Sequence, residues 1–282
     1  MKVLKLIQEV RKFLSEQQDK RHKIVLVPTM GNLHEGHLEL VRKAKSLGTC
    51  SIVSIFVNPL QFNINEDIDL YPRTFREDRQ KLVEEGVDYL FVPDDDEMYQ
   101  RRSKSQTQVF VPDLSQILCG KSRPTHFQGV TTVVMKLINI IKPHTIVFGE
   151  KDYQQLVLIK QMVSDLNIPV SVVTVRTVRE QDGLAISSRN RYLSEQERRK
   201  APALYETLCW VKSRLQTGET CYETLEKQAN ERLIKHTFKP DYLSIREADS
   251  LSIPDIHTKA LVVMAAAYLG GARLIDNVRV RL

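Results

Sequence analysis

Cysteine is scarce in this chain and never paired in sequence. The four present among 282 residues, Cys50, Cys119, Cys209 and Cys221, show no C-x-x-C spacing, which argues against a zinc site and a disulfide framework and suits a reducing compartment. No apolar run reaches the 18 residues of a membrane span, and residues 1–20 carry charges every few positions without an apolar core of signal-peptide length. These absences predict a cytoplasmic protein that does not engage a membrane. Long linkers and internal repeats are missing too. So is any stripe of Lys and Arg interleaved with aromatics, and nucleic acid is therefore not expected as a partner. The net charge of +6, from 41 basic against 35 acidic side chains, equally suits an enzyme whose ligands are small anions. A cluster such as Arg198, Arg199 and Lys200 reads as a solvated helix face.

What is present is 42% apolar residues, enough for a sizeable core, in a pattern of alternating strands and helices. Leu4, Ile7, Val10, Phe13 and Leu14 mark an opening helix, and residues 24–27 a first strand. Residues 51–57 form a nearly continuous apolar run, as in a strand covered on both faces, and end at Asn58-Pro59. A helix over 75–86, a strand over 87–92, a polar loop over 100–106 and a strand over 107–111 follow. Residues 120–129 read either as an ordinary connection or as a mobile cover over an anionic site. Next come a helix over 130–141, a strand over 144–148 and a helix behind Asp152 as N-cap, then a strand over 170–175. The expected fold class is α/β: a Rossmann-like parallel sheet domain over residues 1–176, with a smaller C-terminal α+β domain over 177–282. In the second, Gln181-Asp182-Gly183 is a turn, Ser194 and Glu197 form a capping box, helices cover 195–215 and 221–235, and three strands close the chain.

The most informative stretch is Val27 to His37, where a β-branched run gives way to helical spacing at Leu38, Val41, Ala44 and Leu47. Gly31 and Gly36 on such a strand-to-helix turn would let backbone N–H groups approach an anion, and the helix N-terminus adds partial positive charge. His34 and His37 are three apart and would share one face. Their spacing is i,i+3 rather than the i,i+4 of H-E-x-x-H, and no third His or Cys stands nearby, so they read as phosphate donors rather than metal ligands. Ligands of an open parallel sheet collect at the strands' carboxyl ends. There Gln61 and Gln155 supply two amides suited to a small hydroxy acid, and Lys151 a cation. Ser187, Ser188 and Arg189 would clamp a triphosphate from the second domain.

Six segments, in order through the whole chain, resemble the pantothenate synthetase family of the H-x-G-H nucleotidyltransferase superfamily. They are Pro28-Thr29-Met30-Gly31-x-Leu33-His34-x-Gly36-His37, Phe56-Val57-Asn58-Pro59-x-Gln61-Phe62, Tyr71-Pro72-Arg73, Gly149-x-Lys151-Asp152-Tyr153-Gln154-Gln155-Leu156, Ser187-Ser188-Arg189-Asn190 and Leu274-Ile275-Asp276-Asn277. The resemblance implies ligation of pantoate and β-alanine to pantothenate through a pantoyl-adenylate, with release of AMP and pyrophosphate. It also implies ATP as a substrate, Mg²⁺, and a homodimer. By position, Met30, Gly31, Asn32, Leu33, His34, Glu35, Gly36, His37, Gly149, Glu150, Lys151, Asp152, Val178, Ile186, Ser187, Ser188 and Arg189 would bind ATP. His34, His37, Lys151, Ser187, Ser188 and Arg189 would carry catalysis, with His37 the preferred proton donor. Gln61 and Gln155 would hold pantoate, Gln61 also lying near β-alanine. The metal ligands are left unassigned.

Three positions depart from the family pattern. Ile186 stands where Met is usual, Ala272 where Thr is common, and Thr125 replaces the glycine of Arg-Pro-Gly-His-Phe. If that glycine had positive φ, a β-branched residue would be strained there. Two rival readings are an adenylyltransferase acting on a phosphorylated acceptor and a non-catalytic basic nucleic-acid-binding module. Glutamines where a phosphate would call for cations argue against the first.

Overall fold

The computed structural model describes residues 1–17, 22–62, 68, 71–99 and 106–282. Most of the polar loop expected over 100–106 lies outside them. The chain divides into two compact units, residues 1–150 with 158–176, and residues 151–157 with 177–282. Residues 151–157 therefore belong with the second unit, whereas a single cut after 176 would leave them in the first.

The first unit is built on a six-stranded parallel sheet in the order β1-β4-β3-β2-β5-β6. Its strands are β1 (Lys2–Leu4), β2 (Ile24–Thr29), β3 (Cys50–Ile55), β4 (Tyr89–Phe91), β5 (Thr145–Gly149) and β6 (Ser171–Val175). The helices between them are α1 (Ile7–Gln17), α2 (Glu35–Leu47), α3 (Phe75–Glu84), α4 (Asp95–Met98), α5 (Cys119–Ser122), α6 (His126–Ile141) and α7 (Tyr153–Asp165). Along β2 and β3 alternate side chains face opposite ways. Val25, Val27, Val53 and Ile55 join Leu40, Val41 and Ala44 of α2 and Leu82 of α3 in one core layer, while α6 lies against β2. After β2 the chain adds β3 and β4 on one side, then returns to place β5 on the other side of β2. The order thus reverses between β2 and β5, the place where such sheets bind ligands.

The second unit packs α9 (Ala203–Gln216) and α10 (Tyr222–Lys235) on an antiparallel sheet of β7 (Lys239–Glu247), β8 (Ala260–Leu269) and β9 (Ala272–Arg281), with α8 (Glu195–Lys200) preceding them. Leu261, Val263, Ala265, Ala267 and Leu269, every second residue of β8, join Leu204, Leu208 and Val211 of α9 and Leu225, Ala229 and Leu233 of α10 in this core. The parallel sheet with its helices and the small α+β unit are the architecture the alternating pattern predicts.

Several local expectations are corrected. Leu4 belongs to β1, a three-residue strand too short to show periodicity. Residues 107–111 form no strand; instead Thr132 Oγ1 accepts from the Val109 N–H (3.0 Å) and Thr131 Oγ1 donates to the Val109 carbonyl (2.6 Å). Side chains of α6 thus satisfy the backbone groups a sheet neighbour would have satisfied. The helix expected over 195–215 is two, broken at Ala201 and Pro202 between α8 and α9, because proline has no N–H to continue the ladder. Thr125 is not strained: its φ is −102° and ψ −7°, an ordinary right-handed conformation at the start of α6.

Candidate active site

From the carboxyl end of β2 the chain runs through Met30 into a turn at Gly31 and Asn32, with φ of +82° and +52°. A Cβ on Gly31 would lie 3.1 Å from both Asp78 Oδ2 and Ile55 Cγ2, so close packing and positive φ both call for glycine. The turn wraps around Asp78, which is 1% exposed in the first turn of α3. Asp78 Oδ2 accepts from the Asn32 N–H (2.8 Å) and Oδ1 from the Leu33 N–H (2.7 Å), and the Thr74 hydroxyl donates to Oδ2 (3.2 Å). Lys81 Nζ donates to the Leu33 carbonyl (2.6 Å), and Thr29 Oγ1 accepts from the Gly31 N–H (3.2 Å). The first three N–H groups of the turn are therefore engaged within the protein, which corrects the expectation that Gly31 brings its backbone to an anion.

The donors of this turn lie further on. His34 is the N-cap of α2 and His37 its third residue, with ring centroids 4.0 Å apart. The His34 N–H donates to His37 Nδ1 (3.3 Å), so in the neutral ring the proton resides on Nε2 and makes it a donor. Glu35 and Gly36 open the helix, where N–H groups have no intrahelical acceptor and the dipole is positive. The Glu35 side chain pairs with Arg42, which leaves its main chain as the part suited to an anion. A Cβ on Gly36 would come within 3.1 Å of the His34 ring; the glycine makes room for that imidazole.

At the end of neighbouring β3, Asn58 is fully buried. Its Nδ2 donates to the Gly129 carbonyl (3.0 Å), and its Oδ1 accepts from the Leu60 N–H (3.3 Å) and the Tyr99 hydroxyl (2.7 Å). Burial, with a smaller effect of Asp95, pushes the Tyr99 hydroxyl well above its usual range, so it stays a donor. Asn58 also caps the 3₁₀ turn Pro59–Gln61. Gln61 is buried, and its carbonyl accepts from His126 Nδ1 (2.9 Å) and from Arg123 (3.3 Å). Arg123 lies 3.1 Å from His126 Nε2, so His126 accepts from Arg123 at one nitrogen and donates to Gln61 at the other. Within the first unit, segment 120–129 thus runs from the end of α5 to the start of α6, and its Arg123 and His126 grip the main chain of Gln61. Gly149 ends β5 at β2's other flank, with Glu150 opening the 3₁₀ turn that follows.

In the second unit, the Lys151 side chain is 17% exposed, with Nζ 3.9 Å from Asp152 Oδ2. Lys151, Ser187, Arg189, Asn190 and Asp276 line a crevice of about 10 Å³, room for a single water. Half-buried Gln155 follows Lys151 by four residues, on α7. A tight hairpin joins Val178 to Ile186, whose N–H donates to the Val178 carbonyl (3.0 Å), and Gly183 turns it at φ +91°. Ser187 then caps the 3₁₀ turn Ser188–Tyr192, its Oγ accepting from the Arg189 N–H (3.3 Å), with the Arg189 side chain exposed. Asp276 is held bidentately by Arg179, at 2.6 and 2.9 Å. Burial pushes its carboxyl up, and Arg179 pulls it back. The structure thus places the expected ATP residues up to Glu150 on the first unit and the rest on the second. Among the described residues no group of three or more His, Cys, Asp or Glu is placed to hold a metal ion, and no helix is long and apolar enough to cross a membrane.

Asp78, Arg123, His126 and Tyr99 carried no assignment from sequence. Asp78 sits in a helix of strongly charged residues where apolar spacing gives no hint of a buried carboxylate. The one available signal was Arg123 and His126 flanking the Thr125 departure.

Comparison with known proteins identifies the family and agrees with the fold. A family model described as Pantoate-beta-alanine ligase matches residues 2–279. A pantothenate synthetase of Marinomonas sp. is 50% identical over 282 residues, covering 100% of both chains, and one of Nitrosococcus oceani is 50% identical over 100% of this chain and 99% of its own. The crystal structure of pantothenate synthetase from Thermus thermophilus superposes with a TM-score of 0.91 at 42% identity, over 99% of each chain. That of pantoate-beta-alanine ligase from Francisella tularensis, complexed with beta-gamma ATP and beta-alanine, superposes with a TM-score of 0.81 at 36% identity, over 99% of this chain and 97% of its own. The chain belongs to the pantoate-beta-alanine ligase family.

Proposed function

We propose that the protein ligates pantoate and β-alanine to pantothenate, consuming ATP and releasing AMP and pyrophosphate. The observation that carries this reading is the His34/His37 turn, braced by Asp78 beside the switch point of the sheet, in a chain that matches the family over residues 2–279. The Francisella relative's complex with an ATP species and β-alanine supports two of the three substrates.

In the first step a pantoate carboxylate oxygen bonds to the α-phosphorus as the bond to the pyrophosphate oxygen breaks, giving pantoyl-adenylate. A carboxylate is already nucleophilic and needs no base. The demand is charge stabilisation on the leaving group, which His34, His37, Lys151, Ser187, Ser188 and Arg189 meet as donors. Met30, Glu35, Gly36, Gly149, Glu150, Asp152, Val178 and Ile186 complete the nucleotide contacts, while Gly31, Asn32 and Leu33, whose N–H groups are engaged within the protein, shape the turn that carries the histidines. In the second step the β-alanine amine bonds to the acyl carbon, AMP departs with the carboxylate-derived oxygen, and the amine gives up a proton. Gln61 and Gln155 hold pantoate through amides that both donate and accept.

The resemblance implies Mg²⁺ with the nucleotide, an ion usually held by substrate phosphates and one or two carboxylates rather than by an all-protein cage. The ion would neutralise charge on the phosphates. All four cysteines are free, which supports a reducing, cytoplasmic setting. The family resemblance supports a homodimer, tested by sedimentation at enzyme concentrations. Pyrophosphate–ATP isotope exchange tests the adenylation step: exchange should require pantoate. A folded, ATP-binding sample with no pantoate-dependent exchange would overturn it.

A further inference from the structure

We propose that Asp276 and Asn277 of β9 are positioning residues for the ligation, fixing Lys151 and the Ser187–Arg189 segment while touching no substrate. The inference rests on assigning Lys151 and that segment to ATP. Consecutive strand residues point to opposite faces, so one short stretch of β9 can hold two different pieces of chain. Asp276 lies opposite Ala265, on the face that packs against the helices. Its bidentate grip on Arg179 is reinforced by Arg179 donating to the Gly183 carbonyl (3.0 Å) and by its guanidinium stacking 3.6 Å from the Tyr205 ring centroid of α9. Arg179 and Ala185 pair across the hairpin, and Asn190 Nδ2 donates back to the Ala185 carbonyl (3.0 Å). Residues 186–189 are therefore anchored at both ends.

Asn277, on the other face, donates from Nδ2 to the Lys151 carbonyl (3.0 Å), and its own N–H donates to Asp276 Oδ1 (2.7 Å). The two grips thus share one carboxylate. A buried ion pair is a poor way to gain stability compared with apolar packing, whereas it fixes geometry tightly. Catalysis by charge needs that: a cation displaced by an ångström loses much of its effect on the leaving pyrophosphate.

The test is steady-state kinetics on Asn277→Ala and the volume-preserving Asn277→Leu, each alone and combined with Lys151→Ala, alongside thermal unfolding. The inference predicts that both Asn277 variants fold and lose at least tenfold in kcat with substrate KM values nearly unchanged. In the Lys151→Ala background neither should cause a further loss, because the residue being positioned is gone. An equal loss with and without Lys151 would mark a general structural role and overturn the inference, as would full activity in the Asn277 variants while Lys151→Ala is impaired. Wild-type turnover in Lys151→Ala would instead overturn the assignment of Lys151 itself, and the inference with it.

Discussion

Asp78 shows how much one side chain can organise. Two N–H groups of the turn before the histidines end on its carboxylate, and removing the acceptor strands both where water has little access. Asp78→Ala should cost about 1–3 kcal/mol, read by denaturant unfolding, and should lower turnover because the His34/His37 turn loses its brace. Unchanged stability would mean the turn holds itself. At the same scale, His34→Ala or Lys151→Ala should lower kcat by about 10²–10³-fold, the usual cost of deleting a donor to developing charge. Gln155→Ala should chiefly raise the pantoate KM. Equal effects on kcat and KM in all three would show that the roles are wrongly divided. The histidines were legible because their residue types and spacing are rare. Asp78 was not, because its partners are backbone groups 45 and 46 residues away in sequence.

Among the elements, α6 matters most for Gln61, the glutamine proposed to hold pantoate. A Cβ on Gly129 would lie 2.2 Å from the Leu60 carbonyl oxygen, so this glycine sets how closely the helix approaches the turn bearing Gln61. Gly129→Ala should cost about 1–3 kcal/mol through overpacking and, with Gln61 holding pantoate as proposed, weaken pantoate binding, measured as raised KM. Wild-type KM would contradict that coupling. The capping box of α8 carries a pH signature. The Glu197 carboxylate accepts from the Ser194 N–H (2.7 Å) and hydroxyl (2.8 Å), and these bonds hold its pKa below the ordinary value. A depressed carboxylate stabilises the fold above the unfolded pKa of about 4.3 and loses that contribution as pH falls through the folded value. The stability gap between the protein and Glu197→Gln should therefore narrow on acidification in denaturant titrations; a gap constant with pH would refute the assignment. This box was readable from four residues, since capping is local. The break at Pro202 was available in the same way, but helical periodicity continuing across it masked the signal. The missing strand at 107–111 was not legible, because its backbone partners are hydroxyls of α6 that only the fold brings near.

For the whole molecule, the alternation of strands and helices was enough to read a parallel sheet and a smaller α+β unit. The strand order, and with it the switch point between β2 and β5, required the structure. The assignment of residues 151–157 to the second unit was hidden because no break in the sequence marks it: the Asn277 amide that holds the Lys151 carbonyl is 126 residues away. Chemistry at the level of the whole protein reduces to one question, the fate of the oxygen that leaves pantoate. With pantoate labelled by ¹⁸O in its carboxylate, and ATP and β-alanine supplied, mass spectrometry of the products answers it. The account predicts one ¹⁸O atom in AMP and none in pyrophosphate for each pantothenate formed. Label in an inorganic phosphate product, or unlabelled AMP alongside newly made pantothenate, would contradict attack on the α-phosphorus and with it the adenylate route.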